Sequence, residues 1–150
     1  MNICRTFLLA LVVLLSACDG PGKGAPANFH GVDITGAAYA RTLALTDQQG
    51  QARTLADFKG KVVVVFFGYT QCPDVCPTTM AELTQAKALL GKEGARVQVL
   101  FVTVDPERDT SEVLKAYMAN FDPSFVALRG TPEQTAATAK EFKVYYAKSP

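Results

Sequence analysis

Apolar residues occur along this chain in three patterns, and each predicts a different kind of element. The densest is residues 7–15, FLLALVVLL, unbroken and followed by the small Ser16 and Ala17. It is too short for a permanent membrane-spanning helix and follows a lone charge, Arg5, as a secretion signal does. The second pattern is the continuous β-branched or aromatic run. Residues 61–67 (KVVVVFF) read as a buried central strand and residues 96–104 (RVQVLFVTV) as a second strand, since neither alternates as a strand with one wet face would. The third pattern is helical spacing. Met80, Leu83, Ala86, Leu89 and Leu90 recur in this way after the first strand, and Val113, Leu114, Tyr117 and Met118 face inward from a helix over 110–120.

Shorter signals fill in the order. Residues 41–45 and 51–54 flank Asp47-Gln48-Gln49-Gly50 as a β-hairpin would. Residues 125–128 form a short strand, and Thr131-Pro132-Glu133-Gln134 is a capping box opening a helix to about Phe142. Residues 144–147 begin another strand. Strand and helix alternate, which calls for an α/β domain with a mainly parallel central sheet covered by helices and an N-terminal β-hairpin.

With 150 residues the chain is one domain large enough for a core that needs no disulfide support. Residues 1–17 are the signal peptide, 18–27 a Gly- and Pro-rich flexible tether and 28–150 the folded domain. Fifteen Lys and Arg against fourteen Asp and Glu give a net charge of +1, and the absence of a basic patch argues against nucleic acid as a partner. Residues 15–18, LSAC, resemble the lipobox of bacterial lipoproteins, in which the cysteine, here Cys18, is lipidated and becomes the mature N-terminus. Asp19 resembles the signal for retention in the inner membrane. The expected location is therefore the bacterial cell envelope, on the periplasmic face of the inner membrane, anchored by lipid through Cys18.

Of the four cysteines, Cys4 leaves with the leader and Cys18 carries lipid, so Cys72 and Cys76 remain as the thiols. They lie in Cys72-Pro73-Asp74-Val75-Cys76-Pro77, where the first strand hands over to a helix. Each is followed by proline, which disfavours helical geometry in the residue before it and places Cys76 at the helix cap. There the helix N-terminus is expected to favour thiolate over thiol. One turn of separation lets the sulfurs form a disulfide or share one soft metal ion, and geometry alone does not choose. A structural zinc site takes four ligands, and the chain offers no second cysteine pair and one histidine, His30, in a polar loop far upstream. The bland alternative is a packing pair or an inert bridge, which suits exposed, proline-flanked turn residues poorly.

Asp57-Phe58-Lys59-Gly60-Lys61, Gly68-Tyr69-Thr70, the cysteine loop and Val104-Asp105-Pro106-Glu107-Arg108-Asp109-Thr110 together resemble the Sco/SenC family of copper chaperones. The resemblance covers residues 29–147. It implies a thioredoxin-like fold that binds copper as Cu(I), and Cu(II) as a further state, through both cysteines and a later histidine. It also implies a role in maturing the dinuclear copper centre of cytochrome c oxidase. Carried over residue by residue, Cys72 and Cys76 are the ligands, and Asp74 and Asp105 stand behind them. Implied partners are the copper-bearing oxidase subunit and a periplasmic thiol reductant or copper donor.

The family's histidine lies past a Tyr-Tyr segment, here Tyr145-Tyr146, and no histidine follows it before Pro150. His30 matches an upstream segment and does not replace that ligand. The C-terminal hairpin and closing helix of such a fold are missing as well, so a truncated chain with a weaker copper site, an unpaired sheet edge and marginal stability is expected. The rival to the chaperone is an enzyme: a thiol-disulfide oxidoreductase acting on the cysteines of the oxidase copper site or of other exported proteins, with Cys72 or Cys76 attacking. Oxidoreductases of that fold carry two residues between their cysteines where this chain carries three, which favours copper. A peroxiredoxin-like reading lacks a supporting arginine pattern near the thiols.

Overall fold

The computed structural model of the chain describes residues 30–147. The predicted leader, the tether, Cys4 and Cys18 lie outside the described residues. Residues 30–36 belong to a separate short unit, where Asp33 accepts hydrogen bonds from the backbone and hydroxyl of Thr35. Everything below concerns the unit that begins at Ala37.

Five strands form one sheet: β1 (Ala44–Asp47), β2 (Ala52–Thr54), β3 (Val62–Gly68), β4 (Val97–Thr103) and β5 (Val126–Arg129). Their spatial order is β2-β1-β5-β4-β3. β3, β4 and β5 run parallel, and the β1–β2 hairpin joins β5 antiparallel. Helices α1 (Val75–Leu89) and α2 (Ser111–Met118) connect β3 to β4 and β4 to β5, and α3 (Pro132–Glu141) follows β5. The α/β architecture is the one read from the alternation of patterns.

The continuous apolar runs have a direct cause in packing. Val64 and Phe66 of β3, Val99 and Phe101 of β4 and Ala127 of β5 meet Met80 and Leu83 of α1 and Leu114 and Met118 of α2. The alternate residues Val63, Val65 and Phe67, Leu100 and Val102, and Leu128 meet Leu43, Leu45, Phe58 and Phe142 on the other face. Both faces are covered, so both parities must be apolar.

Several expectations need correction. The most buried strand is β4, which lies between β3 and β5 and whose residues Val99, Leu100, Phe101 and Val102 have no exposed surface. β3 is the edge strand: it pairs only with β4 among the described residues, Val62 is 59% exposed, and residues 63–67 are half-buried. An apolar run reports two covered faces but not whether both sides of the strand are paired. Residues 144–147 form no strand. Instead Lys143 takes a left-handed φ of 59°, and Val144 N–H donates back to the Ala139 carbonyl at 2.8 Å, closing the end of α3. Ala86, Leu89 and Leu90 are exposed, as is Val113 at 39%, so helical spacing overstated the buried faces of α1 and α2. The first hairpin strand starts three residues later than expected and runs on to Asp47, which closes the turn by accepting from Gln49 N–H and Gln51 N–H.

The capping box is present as read: Gln134 N–H donates to Thr131 Oγ1 at 3.2 Å, and Thr131 N–H donates to Gln134 Oε1 at 2.8 Å. Thr131→Ala removes the hydroxyl half and is expected to cost about 1 kcal/mol. Urea unfolding should show a lower midpoint at an unchanged slope; an unmoved midpoint would mean the box contributes nothing.

Candidate metal and thiol site

The parallel register Gly68↔Thr103 ends β3 and β4 at one level, and the sheet delivers two loops to the same edge there. Val104 N–H donates to the Gly68 carbonyl at 2.8 Å, extending the pairing one residue beyond the strands. From Gly68 the chain makes a turn in which Cys72 N–H donates to the Tyr69 carbonyl at 3.3 Å. It then passes Pro73 and enters α1 with Asp74 at the N-cap.

Asp74, not Cys76, is therefore the cap, and Cys76 is the second helical residue. Pro77 is tolerated after it because a first-turn residue has no intrahelical partner to lose. The helix N-terminus consequently acts on the other sulfur. Cys76 N–H donates to Cys72 Sγ at 3.4 Å. The Cys76 thiol, followed by the backbone N–H groups of Cys76, Asp74 and Val75, draws the Cys72 pKa below its ordinary value against the opposing effect of burial. Cys76 moves the opposite way, raised to about 11, first by burial, then by its bond to Cys72 and by the nearby Cys72 and Asp109 charges. Both thiols are free; Cys72 is half-buried and Cys76 is 5% exposed.

Cys76 is held from below by the end of β3. A Cβ added at Gly68 would stand 3.0 Å from Cys76 Sγ, from Phe101 Cε2 and from Phe66 Cε1. Only glycine admits the sulfur so close to the strand. Tyr117 packs its ring 5.5 Å from that of Phe101, and its buried hydroxyl has no hydrogen-bond partner among the described residues. Burial first, and then the charges of Cys76, Cys72 and Asp109, raise its pKa to about 12, so it stands as a neutral donor beside the thiols.

The second loop touches the first through Asp109, which the sequence reading left unassigned. Asp109 is 1% exposed; Oδ1 accepts from Thr70 Oγ1 at 2.6 Å and Oδ2 from Thr70 N–H at 3.1 Å. Asp105 turns elsewhere: its carboxylate pairs with Arg108, and with Tyr69, Glu107 and Tyr146 it lines an open groove of about 500 Å³ beside the cysteine loop. His30 is exposed and lies in the separate short unit. Among the described residues no third His, Cys, Asp or Glu joins the two sulfurs as a metal-holding group. The pair nevertheless fits a soft ion of low coordination number, since both donors are thiols and one faces outward.

The SCO1/SenC family matches this chain over residues 32–150. The mitochondrial SCO2 homolog of Bos taurus is 42% identical over 108 residues, 71% of this chain and 41% of that protein. The chain thus spans about half the length, or less, of the curated relatives it matches. Among solved structures, copper-bound ScoI of Bradyrhizobium japonicum is 43% identical with a TM-score of 0.69, covering 73% of this chain and 69% of that one. BsSco, a member of the Sco family of cytochrome c oxidase assembly proteins in which a disulfide switch was identified, is 27% identical with a TM-score of 0.63, covering 74% and 67%.

Two outcomes follow from this geometry. Limited alkylation near neutral pH should label Cys72 well before Cys76, as read by peptide mapping, because the more exposed thiol is also the one with the lowered pKa. Equal labelling would contradict the asymmetry. Gly68→Ala should lower stability by about 1–3 kcal/mol through overpacking, and should speed Cys76 labelling in the folded protein by pushing its sulfur outward.

Proposed function

The chain belongs to the SCO1/SenC family, and on that premise we propose that it is a copper chaperone of the bacterial cell envelope. It carries Cu(I) between Cys72 and Cys76 and delivers it to the copper-bearing subunit of cytochrome c oxidase. The observation that carries this reading is the sulfur pair itself: two free thiols at a helix start, Cys72 Sγ accepting from Cys76 N–H, one buried and one half-buried. Soft thiolates suit Cu(I), and a site with few protein ligands passes its ion on by ligand exchange. Copper is the cargo here, not a resident cofactor.

The asymmetry supplies an order of events. Cys72, the more exposed and the one with the lowered pKa, is the entry ligand; Cys76, buried and protonated, joins second. The copper-bound structure of ScoI supports the cargo, and the oxidase-assembly role of the family to which BsSco belongs supports the recipient. Cys18, in its lipobox-like context, would hold the domain at the periplasmic face of the inner membrane through the tether at 18–27.

The same asymmetry favours a second reading, thiol-disulfide exchange with the oxidase copper site. Cys72 as thiolate attacks a substrate disulfide, and Cys76 resolves the mixed disulfide, so two thiols are oxidised as one disulfide is reduced. A disulfide switch in BsSco is in keeping with this chemistry. A periplasmic reductant would then restore the dithiol.

Anaerobic titration of the reduced chain with Cu(I) against a chromophoric chelator tests the proposal. One equivalent is expected, lost in both Cys72→Ser and Cys76→Ser, with negligible turnover on a model disulfide. Because both sulfurs must shed protons to bind, affinity should rise with pH by about ten- to hundredfold per unit around neutrality. Stoichiometric copper retained by either single variant, or an affinity indifferent to pH, would sink the two-thiolate site.

A further inference from the structure

Asp109 is held by two strands and in turn holds the cysteine loop. Its N–H donates to the Asp105 carbonyl at 3.0 Å, and its own carbonyl accepts from Arg129 Nε of β5 at 3.2 Å, while Arg129 also reaches the Pro106 carbonyl at 2.9 Å. Thr103, the last residue of β4, donates its hydroxyl to Asp109 Oδ2 at 2.5 Å. The carboxylate is thereby fixed to the end of β4 and its backbone to β5, and the remaining carboxylate bonds both go to Thr70. Thr70 is the first corner of the turn that Cys72 closes on the Tyr69 carbonyl.

The two sulfurs are thus located by independent means. Cys76 is placed by α1 and by contact with Gly68 at the end of β3. Cys72 is placed by a turn whose corner is pinned at both its N–H and its hydroxyl. We propose that Asp109 is the positioning residue of the sulfur pair, setting where Cys72 Sγ stands relative to Cys76 Sγ. A carboxylate suits the position because all three groups that face it, Thr70 N–H, Thr70 Oγ1 and Thr103 Oγ1, donate to it. An amide offers one acceptor oxygen and turns a donor towards one of them. The inference rests on the thiol pair being functional, and it holds for either reading of that function.

The test compares the full chain with Asp109→Asn, Thr70→Ala, the double variant, and Leu128→Val as a control on the opposite face of the sheet. Two quantities are read: the dithiol–disulfide equilibrium of Cys72 and Cys76 against dithiothreitol, and Cu(I) affinity by chelator competition. Asp109→Asn and Thr70→Ala should each shift the redox equilibrium towards the dithiol and weaken copper binding by about tenfold or more. The double variant should be no worse than the worse single one, because both remove the same contact. Leu128→Val should lower the melting temperature while leaving both readouts in place.

Additive effects in the double variant would overturn the proposal. So would Asp109→Asn and Thr70→Ala behaving like Leu128→Val, less stable but unchanged in redox equilibrium. If the unaltered chain takes up no Cu(I), the chaperone reading fails alone, and the dithiothreitol equilibrium still decides the role of Asp109.

Discussion

Seven consecutive parallel pairs, from Val62↔Val97 to Gly68↔Thr103, fix β3 against β4 with no register slip. This pairing is the constraint from which the rest of the site follows. A parallel ladder ends both strands on the same edge, so whatever follows Gly68 and whatever follows Thr103 must share that edge. A shift of one residue would turn Val64 and Phe66 from the α1 side to the other face and carry Gly68 away from Cys76 Sγ. The covered faces of the sheet enforce the register, and the register places the chemistry.

The site built on that edge separates two sulfurs that are alike in sequence. One accepts the free amides of a helix start and is the more exposed; the other is buried against Gly68 and holds its proton. Helix polarity and burial, which act together in many cysteine sites, are here divided between the two residues. A pair of equal thiols would bind or release as a unit, whereas an unequal pair has a first and a second ligand.

The central fold was legible because β3, β4 and β5 bury both faces and so show uninterrupted runs, and because Thr131, Pro132 and Gln134 announce α3 by local chemistry alone. What was misread depends on neighbours. β3 and β4 have nearly the same composition, but their strand order is set by pairing partners that lie far away in sequence. Val144 and the tyrosines after it have strand-forming side chains but pair with no strand among the described residues. Within the site, Cys72 and Cys76 stood out by spacing and prolines. Which sulfur received the helix amides turned on a cap falling at Asp74, two residues earlier than proline rules suggested. Asp105 and Asp109 are equivalent by type and loop; only the turn that joins Asp109 N–H to the Asp105 carbonyl decides which carboxylate points at Thr70.

Arg129 enters the site from β5, the middle strand of the sheet, which pairs with β4 on one side and carries the β1–β2 hairpin on the other. The hairpin is thus mechanically in series with the cysteine loop: hairpin, β5, Arg129, Asp109, Thr70, Cys72. A protein that engages the outer hairpin would be pressing on the far end of a lever whose near end is a thiol. The position of the hairpin and the position of Cys72 are thus joined by backbone and side-chain bonds, with no domain hinge between them.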